Sequence, residues 1–493
     1  MSDTTPLRIA FLTAELAPYA KTGGLADVSA ALPRELHRLG HDVRVFLPFY
    51  SRIREAARDI WRVDYLQDIP VSLGHAHYRF SVSTAPLPDS ELRVYLIECA
   101  PLFDRAAIYT SDADEHLRFL LLQRAAIECC QRMGWAPDVF HCNDWQTALV
   151  PLLLRTHYAW DKLFERSRTL LTIHNLGYQG VFGREIVPNL DLGAHSNLLH
   201  QDDLRSNLIG FLKHGILYAD MLSTVSPTYA HEIQTEGYGF GLHELLRSRR
   251  DSLVGILNGV DYEEWNPQTD SHLRQRYSIR SLHRKEANKV ALHESLGLKY
   301  EREAPIAGII SRLTYQKGFD LLFEPLPVIL ARSNLRLAVL GSGEPQYESF
   351  FAGLQHRFPG RVCFWHGFNE PLAHQIEGGC DLFLMPSRYE PCGLNQMYSL
   401  KYGTVPLVRR TGGLADTVSL WNPHTQKGTG FMFDHFTGEG VTWAMNHAIE
   451  AWQDSETWRV LVKNGMREDF SWGKAALAYV ELYQRLGARE ALR

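Results

Sequence analysis

The sequence predicts an α/β protein built from two doubly wound, Rossmann-like domains whose parallel sheets face an interdomain cleft. Short apolar, β-rich runs alternate with helix-length segments, as they do in parallel sheets that helices cover on both faces. This alternation restarts after a polar stretch at roughly 265–304. The length of 493 residues also favours two domains, since one hydrophobic core rarely supports so long a chain.

The first half contains six predicted strands. Each is a short β-rich run that leads into turn residues, and helix-period segments such as 24–40 and 114–133 separate most of them. The predicted strands are residues 7–14, 42–49, 92–99, 138–144, 168–175 and 220–226.

The second half repeats this pattern with five predicted strands, at residues 305–312, 335–343, 361–368, 381–387 and 404–410. Residues 470–486 follow as an amphipathic helix. We therefore predict an N-terminal domain over residues 1–256, a C-terminal domain over 257–471 and a terminal helical segment over 472–493.

Composition and charge argue against several classes of protein. The net charge is only −5, and Lys and Arg are dispersed along the chain, which argues against a nucleic-acid partner. No apolar run is long enough to span a bilayer, and the first residues contain no basic leader. Seven cysteines without C-x-x-C spacing fit neither a disulfide framework nor a zinc site. These features predict a cytoplasmic protein.

The sequence TGGLAD occurs twice, at residues 22–27 and 411–416, each time after a predicted strand and before a helical pattern. Paired glycines let the backbone turn sharply and approach a ligand closely, and the N–H groups of the following helix favour an anion. Lys21 precedes the first copy and Arg410 the second. Each copy therefore predicts an anion-binding loop, with an ordinary helix start as the structural alternative.

A second pair of cations lies at a predicted strand end in the C-terminal half. Arg312 and Lys317 are five residues apart, and Gly318 follows the lysine at the start of a new helix. Two cations beside a helix N-terminus can hold a diphosphate, whereas the alternative is a chance grouping of surface charge. Gly341, in the LGSGE segment after the next strand, marks a further glycine turn.

Other strand ends contain polar residues suited to chemistry. Glu390 precedes the Pro-Cys-Gly turn of residues 391–393, and its carboxylate can accept hydrogen bonds from a sugar or a ribose. Asp144 and His174 end predicted strands of the first half. A lone Asp or His at a strand end is more often structural, but both fall on the predicted cleft side of one domain.

Several patterns that suggest other activities are absent or have a structural interpretation. The chain lacks both G-x-G-x-x-G and G-x-x-x-x-G-K-[ST], so no motif points to a nicotinamide-dependent oxidoreductase. The D-x-D of residues 112–114 precedes a helix, where Asp112 and Glu115 fit a capping box rather than a metal site. Each H-E segment lacks the second His of a zinc peptidase.

Five motifs, in this order, resemble those of the bacterial glycogen synthase and plant starch synthase family, which is glycosyltransferase family 5. They are K-T-G-G-L-A-D, H-N-L-x-Y-Q-G, S-R-L-T-x-Q-K-G, E-P-C-G-L and R-T-G-G-L-A-D-T. The resemblance covers nearly the whole chain. It implies the GT-B fold, with the terminal helix packing back on the N-terminal domain. It also implies a retaining glucosyltransferase that extends an α-1,4-glucan from ADP-glucose.

The resemblance further implies a set of site residues. Those expected at the reacting centre and the leaving diphosphate are Glu390, His174, Asp144, Lys317 and Arg312, and those expected to bind the donor are Lys21, Gly23, Gly24, Gly341, Cys392, Gly393, Leu394, Thr411, Gly412 and Gly413. His141, Cys142 and Asn143 depart from the family's commoner H-A-H-D-W form. Tyr398 stands where related retaining enzymes carry a second glutamate, which the synthase family also lacks.

The partners and the mechanism follow from the same resemblance. ADP-glucose and glycogen are the expected partners, with no metal, cofactor, nucleic acid or membrane. Charge accumulates on the departing diphosphate as the glycosyl bond breaks, and Lys21, Arg312 and Lys317 would stabilise it without proton transfer. No carboxylate pair of a retaining hydrolase is evident, so we expect attack from the front face.

Three alternatives stay open at this stage. The first is a GT-B enzyme that uses UDP-glucose or another acceptor. The second is a Rossmann-type oxidoreductase, which nicotinamide binding would support. The third is a glucan-binding protein without turnover, against which the intact set of polar residues counts.

Overall fold

The computed structural model describes residues 6–57 and 59–488, which form two compact units. The first unit contains the chain up to Val225, Ala230–Ile256 and the segment that begins at Trp472. The second unit contains Ser226–Tyr229 and Leu257–Ser471. Each unit is an α/β fold with its own sheet, as the alternation of apolar and helical segments predicts.

The first unit is built on a ten-stranded sheet and a two-stranded antiparallel pair. Its strands are β1 (Arg8–Leu12), β2 (Asp42–Pro48), β3 (Trp61–Arg62), β4 (Ile69–Leu73), β5 (Ala76–Pro86), β6 (Arg93–Glu98), β7 (Val139–Asn143), β8 (Arg168–Ile173), β9 (Val181–Gly183), β10 (Leu208–Gly210), β11 (Met221–Thr224) and β12 (Leu253–Gly255). Strands β9 and β10 form the separate pair.

The strand order of the large sheet is β12-β11-β8-β7-β1-β2-β6-β5-β3, with β4 paired to β5. From β12 to β6 all neighbouring strands are parallel, as predicted. Beyond β6 the sheet is antiparallel, because β5 pairs in that sense with β6, β3 and β4. This antiparallel edge is an addition to the parallel sheet that the sequence predicts. Such an edge can keep one face in water, and the first half of β5 alternates accordingly between more and less exposed residues.

The helices before residue 257 separate these strands. They are α1 (Gly24–Arg38), α2 (Ser51–Ala56), α3 (Ala100–Phe103), α4 (Glu115–Arg132), α5 (Val150–Arg155), α6 (Gln201–Arg205), α7 (Phe211–Tyr218), α8 (Pro227–Glu232) and α9 (His243–Ser248). The last helix of the described chain, Trp472–Ala488, packs against α1 within the same unit. We call it the C-terminal helix.

The start of α4 differs from the predicted capping box. The carboxylate of Asp112 pairs with Arg105 at 2.6 Å instead of capping the helix, and the same guanidinium binds Asp114. Glu115 accepts hydrogen bonds from the N–H and the hydroxyl of Thr110. The D-x-D segment therefore has a structural role, but an arginine rather than the helix N–H groups is its partner.

The second unit is built on a six-stranded parallel sheet of order β15-β14-β13-β16-β17-β18. Its strands are β13 (Ile306–Leu313), β14 (Arg336–Gly343), β15 (Val362–His366), β16 (Leu382–Met385), β17 (Val405–Arg409) and β18 (Phe431–Phe433). Its helices are α10 (Lys285–Leu296), α11 (Pro325–Arg332), α12 (Pro345–Arg357), α13 (Glu370–Gly379), α14 (Asn395–Tyr402), α15 (Gly412–Thr417), α16 (Gly438–Gln453) and α17 (Ser455–Met466).

Two apolar clusters cover the two faces of this second sheet. Successive residues of β14 belong to alternate clusters, with Leu337 and Val339 in one and Ala338 and Leu340 in the other. This is the two-residue period of a strand. Burial on both faces explains why the strand appears in the sequence as an uninterrupted apolar run.

Each sheet has a point at which the strand order reverses. In the first unit the strands run outward from β1 and β7, and in the second unit from β13 and β16. Ligands of open α/β sheets bind beyond the carboxyl ends of the strands at such points. Lys21 follows β1, Asp144 follows β7, Arg312 lies near the end of β13, and Glu390 follows β16.

Candidate active site

In the second unit, Lys317 and Glu390 form a largely buried ion pair. The Lys317 Nζ lies 2.6 Å from Oε2 of Glu390, and Ser387 Oγ donates to the same oxygen at 3.0 Å. Glu390 is only 5% exposed. A carboxylate so shielded from water needs such partners. The pair therefore fixes both side chains beyond the carboxyl ends of β13 and β16.

Gly318 allows the two segments that carry this pair to approach each other. Its φ is 68°, and a Cβ at this position would lie 2.3 Å from the carbonyl oxygen of Pro386. A side chain is thus excluded by both backbone conformation and space. The segment after β13 can therefore pack directly on the segment after β16, which brings Lys317 to Glu390.

Arg312 lies near the end of β13, and its side chain is exposed. Within residues 6–57 and 59–488, its guanidinium has no hydrogen bond and no ion pair. Gly341 lies on β14 opposite Ser311, and a Cβ there would meet the Ser311 carbonyl oxygen at 2.1 Å. Gly341 therefore serves the close packing of two strand ends, next to an arginine that is available to an external anion.

The second TGGLAD segment packs against the turn that follows Glu390. The N–H of Gly413 lies 3.1 Å from the carbonyl oxygens of Glu390 and Pro391. A Cβ at Gly412 would lie 1.9 Å from the carbonyl oxygen of Glu390. A Cβ at Gly413 would lie 2.1 Å from that of Cys392. The protein's own backbone therefore requires both glycines, which hold the turn in place.

The other residues predicted to bind the donor belong to the same two segments. Cys392 and Thr411 are buried, whereas Gly393 and Leu394 are half-buried just before α14. Burial raises the pKa of the Cys392 thiol to about 12. The thiol is therefore protonated at neutral pH and is not a nucleophile.

Arg388 was not predicted from the sequence, yet it is held on three sides. Its guanidinium pairs with Asp320 at 2.6 Å. It also lies 4.0 Å from the ring centre of Tyr315 and 3.9 Å from that of Phe436, where cation–π attraction adds to the ion pair. These contacts fix the backbone two residues before Glu390. The only sequence signal is its place between an apolar strand and the E-P-C-G turn.

Tyr398, at the position of the second glutamate of related enzymes, points into the second unit. It is 8% exposed, and its ring stacks on Trp265 with centres 4.1 Å apart and planes within 2°. A carboxylate in this stack would be a buried charge facing an aromatic ring. The departure from the E-x7-E pattern therefore has a structural reason in this chain.

In the first unit, Glu15 holds the loop of the first TGGLAD segment. Its carboxylate accepts hydrogen bonds from the N–H and the hydroxyl of Thr22, both at 2.6 Å, and from the N–H of Gly23 at 3.1 Å. The Tyr109 hydroxyl donates to it at 2.7 Å. No sequence pattern singles out Glu15, because a lone glutamate in a loop is usually a surface residue. Here it is 4% exposed.

Neither the Lys21 side chain nor the lack of a side chain at Gly23 is required by the surrounding structure. The Lys21 Nζ pairs with Asp27 at 2.6 Å, and the lysine side chain is 48% exposed, so this ion pair contributes little to stability. Gly23 has an extended φ of −160°, and a Cβ there would meet nothing within 4 Å. Unlike the second copy, the first copy has a glycine that the surrounding backbone does not require.

Asp144 and His174, which follow β7 and β8, are joined by hydrogen bonds. Asp144 Oδ1 accepts from the His174 N–H at 2.7 Å, and His174 Nε2 lies 2.9 Å from Asn143 Oδ1. The Asn143 amide nitrogen donates to the carbonyl oxygen of Leu12 at 2.9 Å, which turns its oxygen toward the histidine. Nε2 of His174 therefore carries the proton, and Nδ1 presents a lone pair.

Burial shifts the pKa values of this pair in opposite directions. It lowers the pKa of His174 to about 3, so the imidazole is neutral. It raises the pKa of Asp144 to about 7, although the N–H groups of His174 and Asn175 oppose this shift. Asp144 also has a φ of 56°, a conformation that non-glycine residues rarely adopt and that is often found at functional sites.

The structure thus groups the predicted residues within each unit. In the second unit, Lys317, Glu390 and the second Gly-Gly pair form one contiguous group, with Arg312 at the neighbouring strand end. In the first unit, the loop of Lys21 follows β1, while Asp144 and His174 follow the next two strands of the sheet. The chemical roles of these residues stay predictions.

Family profiles match both halves of the chain. Residues 8–248 match the starch synthase catalytic domain, and residues 298–466 match the glycosyl transferases of group 1. A glycogen synthase of Koribacter versatilis (strain Ellin345) is 44% identical over 97% of this chain and 98% of its own length. Another, of Anaeromyxobacter sp. (strain Fw109-5), is 44% identical over 98% of this chain and 100% of its own.

None of the described helices is both long enough and apolar enough to cross a membrane. The seven cysteines are all free thiols.

Solved structures agree with the sequence relatives. The catalytic domain of starch synthase IV from Arabidopsis thaliana, bound to ADP and acarbose, matches with a TM-score of 0.90 and 35% identity, over 98% of this chain and 100% of that one. Sucrose-phosphate synthase from Thermosynechococcus elongatus, at a TM-score of 0.58 and 18% identity, shares the fold alone. The predicted GT-B fold is confirmed, and the chain belongs to the glycogen synthase and starch synthase family of glucosyltransferases.

Proposed function

We propose that this protein transfers glucose from ADP-glucose to the non-reducing end of an α-1,4-glucan and retains the anomeric configuration. The observation that carries the proposal is the group at the switch point of the second sheet. There Arg312, an exposed arginine whose guanidinium has no partner among the described residues, lies at a strand end beside the Lys317–Glu390 pair. The relative solved with ADP bound supports an adenine nucleotide in this family.

Arg312 and Lys317 are assigned to the leaving diphosphate. As the bond from C1 of glucose to the phosphate oxygen breaks, its electron pair moves to the phosphate, and fixed positive charge there lowers the barrier. Glu390 positions Lys317 through the 2.6 Å ion pair, so the ammonium does not have to be ordered during the reaction. This preorganisation is worth more in a water-poor site than in water.

His174 and Asp144 are assigned to the sugar side of the reaction. A neutral imidazole with an Nδ1 lone pair can accept a hydrogen bond from a sugar hydroxyl. With a pKa near 3 it does not donate a proton at neutral pH. In the proposed step the C4 hydroxyl oxygen of the acceptor bonds to C1 on the front face. Its proton passes to the departing phosphate oxygen, so no protein acid is required.

Lys21 and Gly23 complete the assignment. The half-exposed Lys21 can exchange its surface pair with Asp27 for a phosphate at little cost. Gly23 leaves open space above its Cα, which lets a ligand approach the backbone closely. The positive charges for the donor are side chains in this proposal, and it includes no metal and no cofactor.

The proposal is tested by offering purified enzyme glycogen with either ADP-glucose or UDP-glucose, each labelled in the glucose. We expect a higher kcat/KM with ADP-glucose, and α-1,4 linkages in the product by NMR. Lys317→Ala should lower kcat by roughly 10² or more if the lysine acts mainly in the transition state. Arg357→Ala, on the exposed end of α12, serves as the control and should keep full activity.

Two of the alternatives predict a different result in the same assay. A higher kcat/KM with UDP-glucose would overturn the choice of donor while leaving glucosyl transfer in place. Binding of glucan without turnover of either nucleotide sugar would favour a glucan-binding protein. Full activity of Lys317→Ala would show that the lysine takes no part in the reaction.

A further inference from the structure

Three potential metal ligands converge in the second unit, on residues that the glucosyl-transfer proposal does not use. One ligand atom each from Glu264, Glu370 and His374 lies within 4.8 Å of the other two. Both glutamates are exposed, whereas the histidine is only 2% exposed. A cluster of carboxylates alone would be an ordinary surface feature, but a buried histidine that faces it is not.

The sequence explains why these side chains meet. Glu370 and His374 are four residues apart on α13, so they lie on one face of the helix. The Cα–Cβ bond of a helical residue tilts toward the N-terminus, which directs His374 toward Glu370. Glu264 is brought in by its neighbour Trp265, whose ring stacks on the His374 ring with centres 3.8 Å apart and planes within 7°.

The hydrogen bonds of His374 orient its ring for a ligand. Its Nδ1 lies 2.8 Å from Oδ2 of Asp270, and the Tyr402 hydroxyl donates to the same oxygen at 2.6 Å. Nδ1 therefore carries the proton, and Nε2 keeps its lone pair. In the described part of the chain no group hydrogen bonds to Nε2. A carboxylate behind the histidine is the usual support of a metal-ligating imidazole in proteins.

We propose that Glu264, Glu370 and Nε2 of His374 bind a divalent transition-metal cation, with Zn²⁺ as the ion that suits the site best. One imidazole nitrogen with two carboxylate oxygens is a donor set that Zn²⁺ accepts, and water can fill the fourth position. Two carboxylates balance the charge of the ion. The site is structural, because it ties the segment that contains Glu264 to α13.

The ion would also stabilise an aromatic stack next to its ligands. The ring of Trp265 lies between His374 on one side and Tyr398 of α14 on the other. Fixing Glu264 thus also fixes the stack that holds α13 and α14 together. Because the native site binds the ion and the unfolded chain binds it weakly, binding raises the free energy of unfolding.

The test uses the full-length protein, stripped of metal with a chelator and then titrated with Zn²⁺ alone. We expect saturable binding by calorimetry and a rise in Tm of about 3 °C or more at saturation. Co²⁺ added to the metal-stripped protein in place of Zn²⁺ should give the visible absorption of a nitrogen-ligated ion, and Zn²⁺ added afterwards should remove that absorption. Glu264→Gln and Glu370→Gln should each lose the Tm rise and weaken binding at least about tenfold.

Two matched controls separate this site from general binding to surface groups. Glu263→Gln removes the exposed neighbour of Glu264, and Glu439→Gln removes a glutamate in the first turn of α16 that corresponds to Glu370 in α13. Both controls should keep the full Tm rise. The proposal is overturned if Zn²⁺ leaves the Tm unchanged, or if the site variants and the controls respond alike.

Discussion

At the scale of single residues, Arg312 and Lys317 differ in what they do for the folded protein. Lys317 is paired with a buried carboxylate, so its removal leaves Glu390 with an unbalanced charge and destabilises the unit. Arg312 is exposed, and in the described residues its guanidinium has no partner. Removing its side chain should therefore leave the free energy of unfolding nearly unchanged. An activity change in an Arg312 variant reports directly on chemistry or binding.

The first prediction is that Arg312→Ala leaves the Tm within about 1 °C of the wild type, because surface substitutions without partners are nearly neutral. It should lower kcat by roughly 10² or more. Arg312→Lys should recover part of the loss, since a point charge replaces a fork of donors. A thermal melt and a kinetic assay on the same preparation check both parts. A matching loss of stability and activity would contradict the assignment.

The second prediction concerns Asp144, whose folded pKa is about 7, whereas an aspartate in an unfolded chain titrates near pH ~4. Between these values the folded state holds more protons, so the wild type loses stability as the pH rises, by up to about 1.4 kcal/mol per pH unit. Asp144→Asn does not titrate and tolerates the same φ. Its Tm should rise relative to the wild type from pH 4 to pH 7 and then level off.

Thermal melts of both proteins across this pH range test the second prediction. The opposite contribution of His174, whose pKa of about 3 favours the folded state as the pH rises to about 6.5, is present in both proteins. It therefore cancels in the difference. A Tm difference that does not change with pH would show that Asp144 is not a buried, titrating acid.

The residue patterns located site residues along the chain, but they did not predict the contacts that those residues make. Glu390 and Lys317 could be found because glycine and proline mark the ends of apolar strands. Glu15 could not, because its four hydrogen bonds depend on how the first loop folds back on β1. The pKa values of Asp144 and His174 depend on burial, which a single sequence does not show.

At the scale of elements, the two TGGLAD segments show that one sequence can serve two structural purposes. The first copy opens the 15-residue helix α1 and is tied to Glu15, whereas the second opens the six-residue helix α15 and packs on the turn after Glu390. Gly413 is required by that contact, but Gly23 has free space around it. The two glycines should therefore respond differently to substitution.

The third prediction compares Gly23→Ala with Gly413→Ala. Gly413→Ala forces a Cβ against the Cys392 carbonyl oxygen and should cost about 1–3 kcal/mol of stability as well as activity. Gly23→Ala should leave the Tm nearly unchanged while reducing kcat/KM about tenfold or more, because a methyl group would stand where the donor approaches. Melting curves and saturation kinetics in ADP-glucose check the contrast. Equal losses of stability would contradict it.

A helical glycine with open space provides the control for this pair. Gly353 lies inside α12, and a Cβ added at this position would have no other atom within 4 Å. Gly353→Ala should leave activity unchanged and increase stability by about 1 kcal/mol, since alanine is the better helix former.

The sequence predicted the elements of the parallel sheets well and those at the edges poorly. All eleven predicted strands have a counterpart with similar bounds, because strands buried on both faces are uninterrupted apolar runs. Strand β18 was missed because it contains three residues, Phe431–Phe433. Strand β5 was missed although its alternating first half is a regular signal of a strand with one solvated face.

At the scale of the whole molecule, the first and the last described segments of the chain belong to the same unit. The C-terminal helix packs on α1. The hydroxyl of Tyr483 in this helix lies 2.8 Å from Nδ1 of His141 in β7. His141 Nε2 lies 2.7 Å from the hydroxyl of Thr172, which lies 2.6 Å from that of Ser223. This buried polar chain joins the last helix to three neighbouring strands. Only the family resemblance predicted that the C-terminal helix packs on the N-terminal domain. An amphipathic pattern shows that a helix has a buried face, but it does not show which surface that face covers.

The fourth prediction is that Tyr483→Phe lowers the Tm of the first unit. Burial lowers the pKa of His141 to about 3, so the ring is neutral, and losing the tyrosine hydroxyl leaves one ring nitrogen buried without a partner. Such a loss costs about 1–3 kcal/mol, or a Tm decrease of about 2 °C or more for a unit of this size. Tyr65→Phe, on a 63% exposed tyrosine, should leave the Tm unchanged. If the two variants melt alike, the C-terminal helix does not stabilise the first unit through this polar chain.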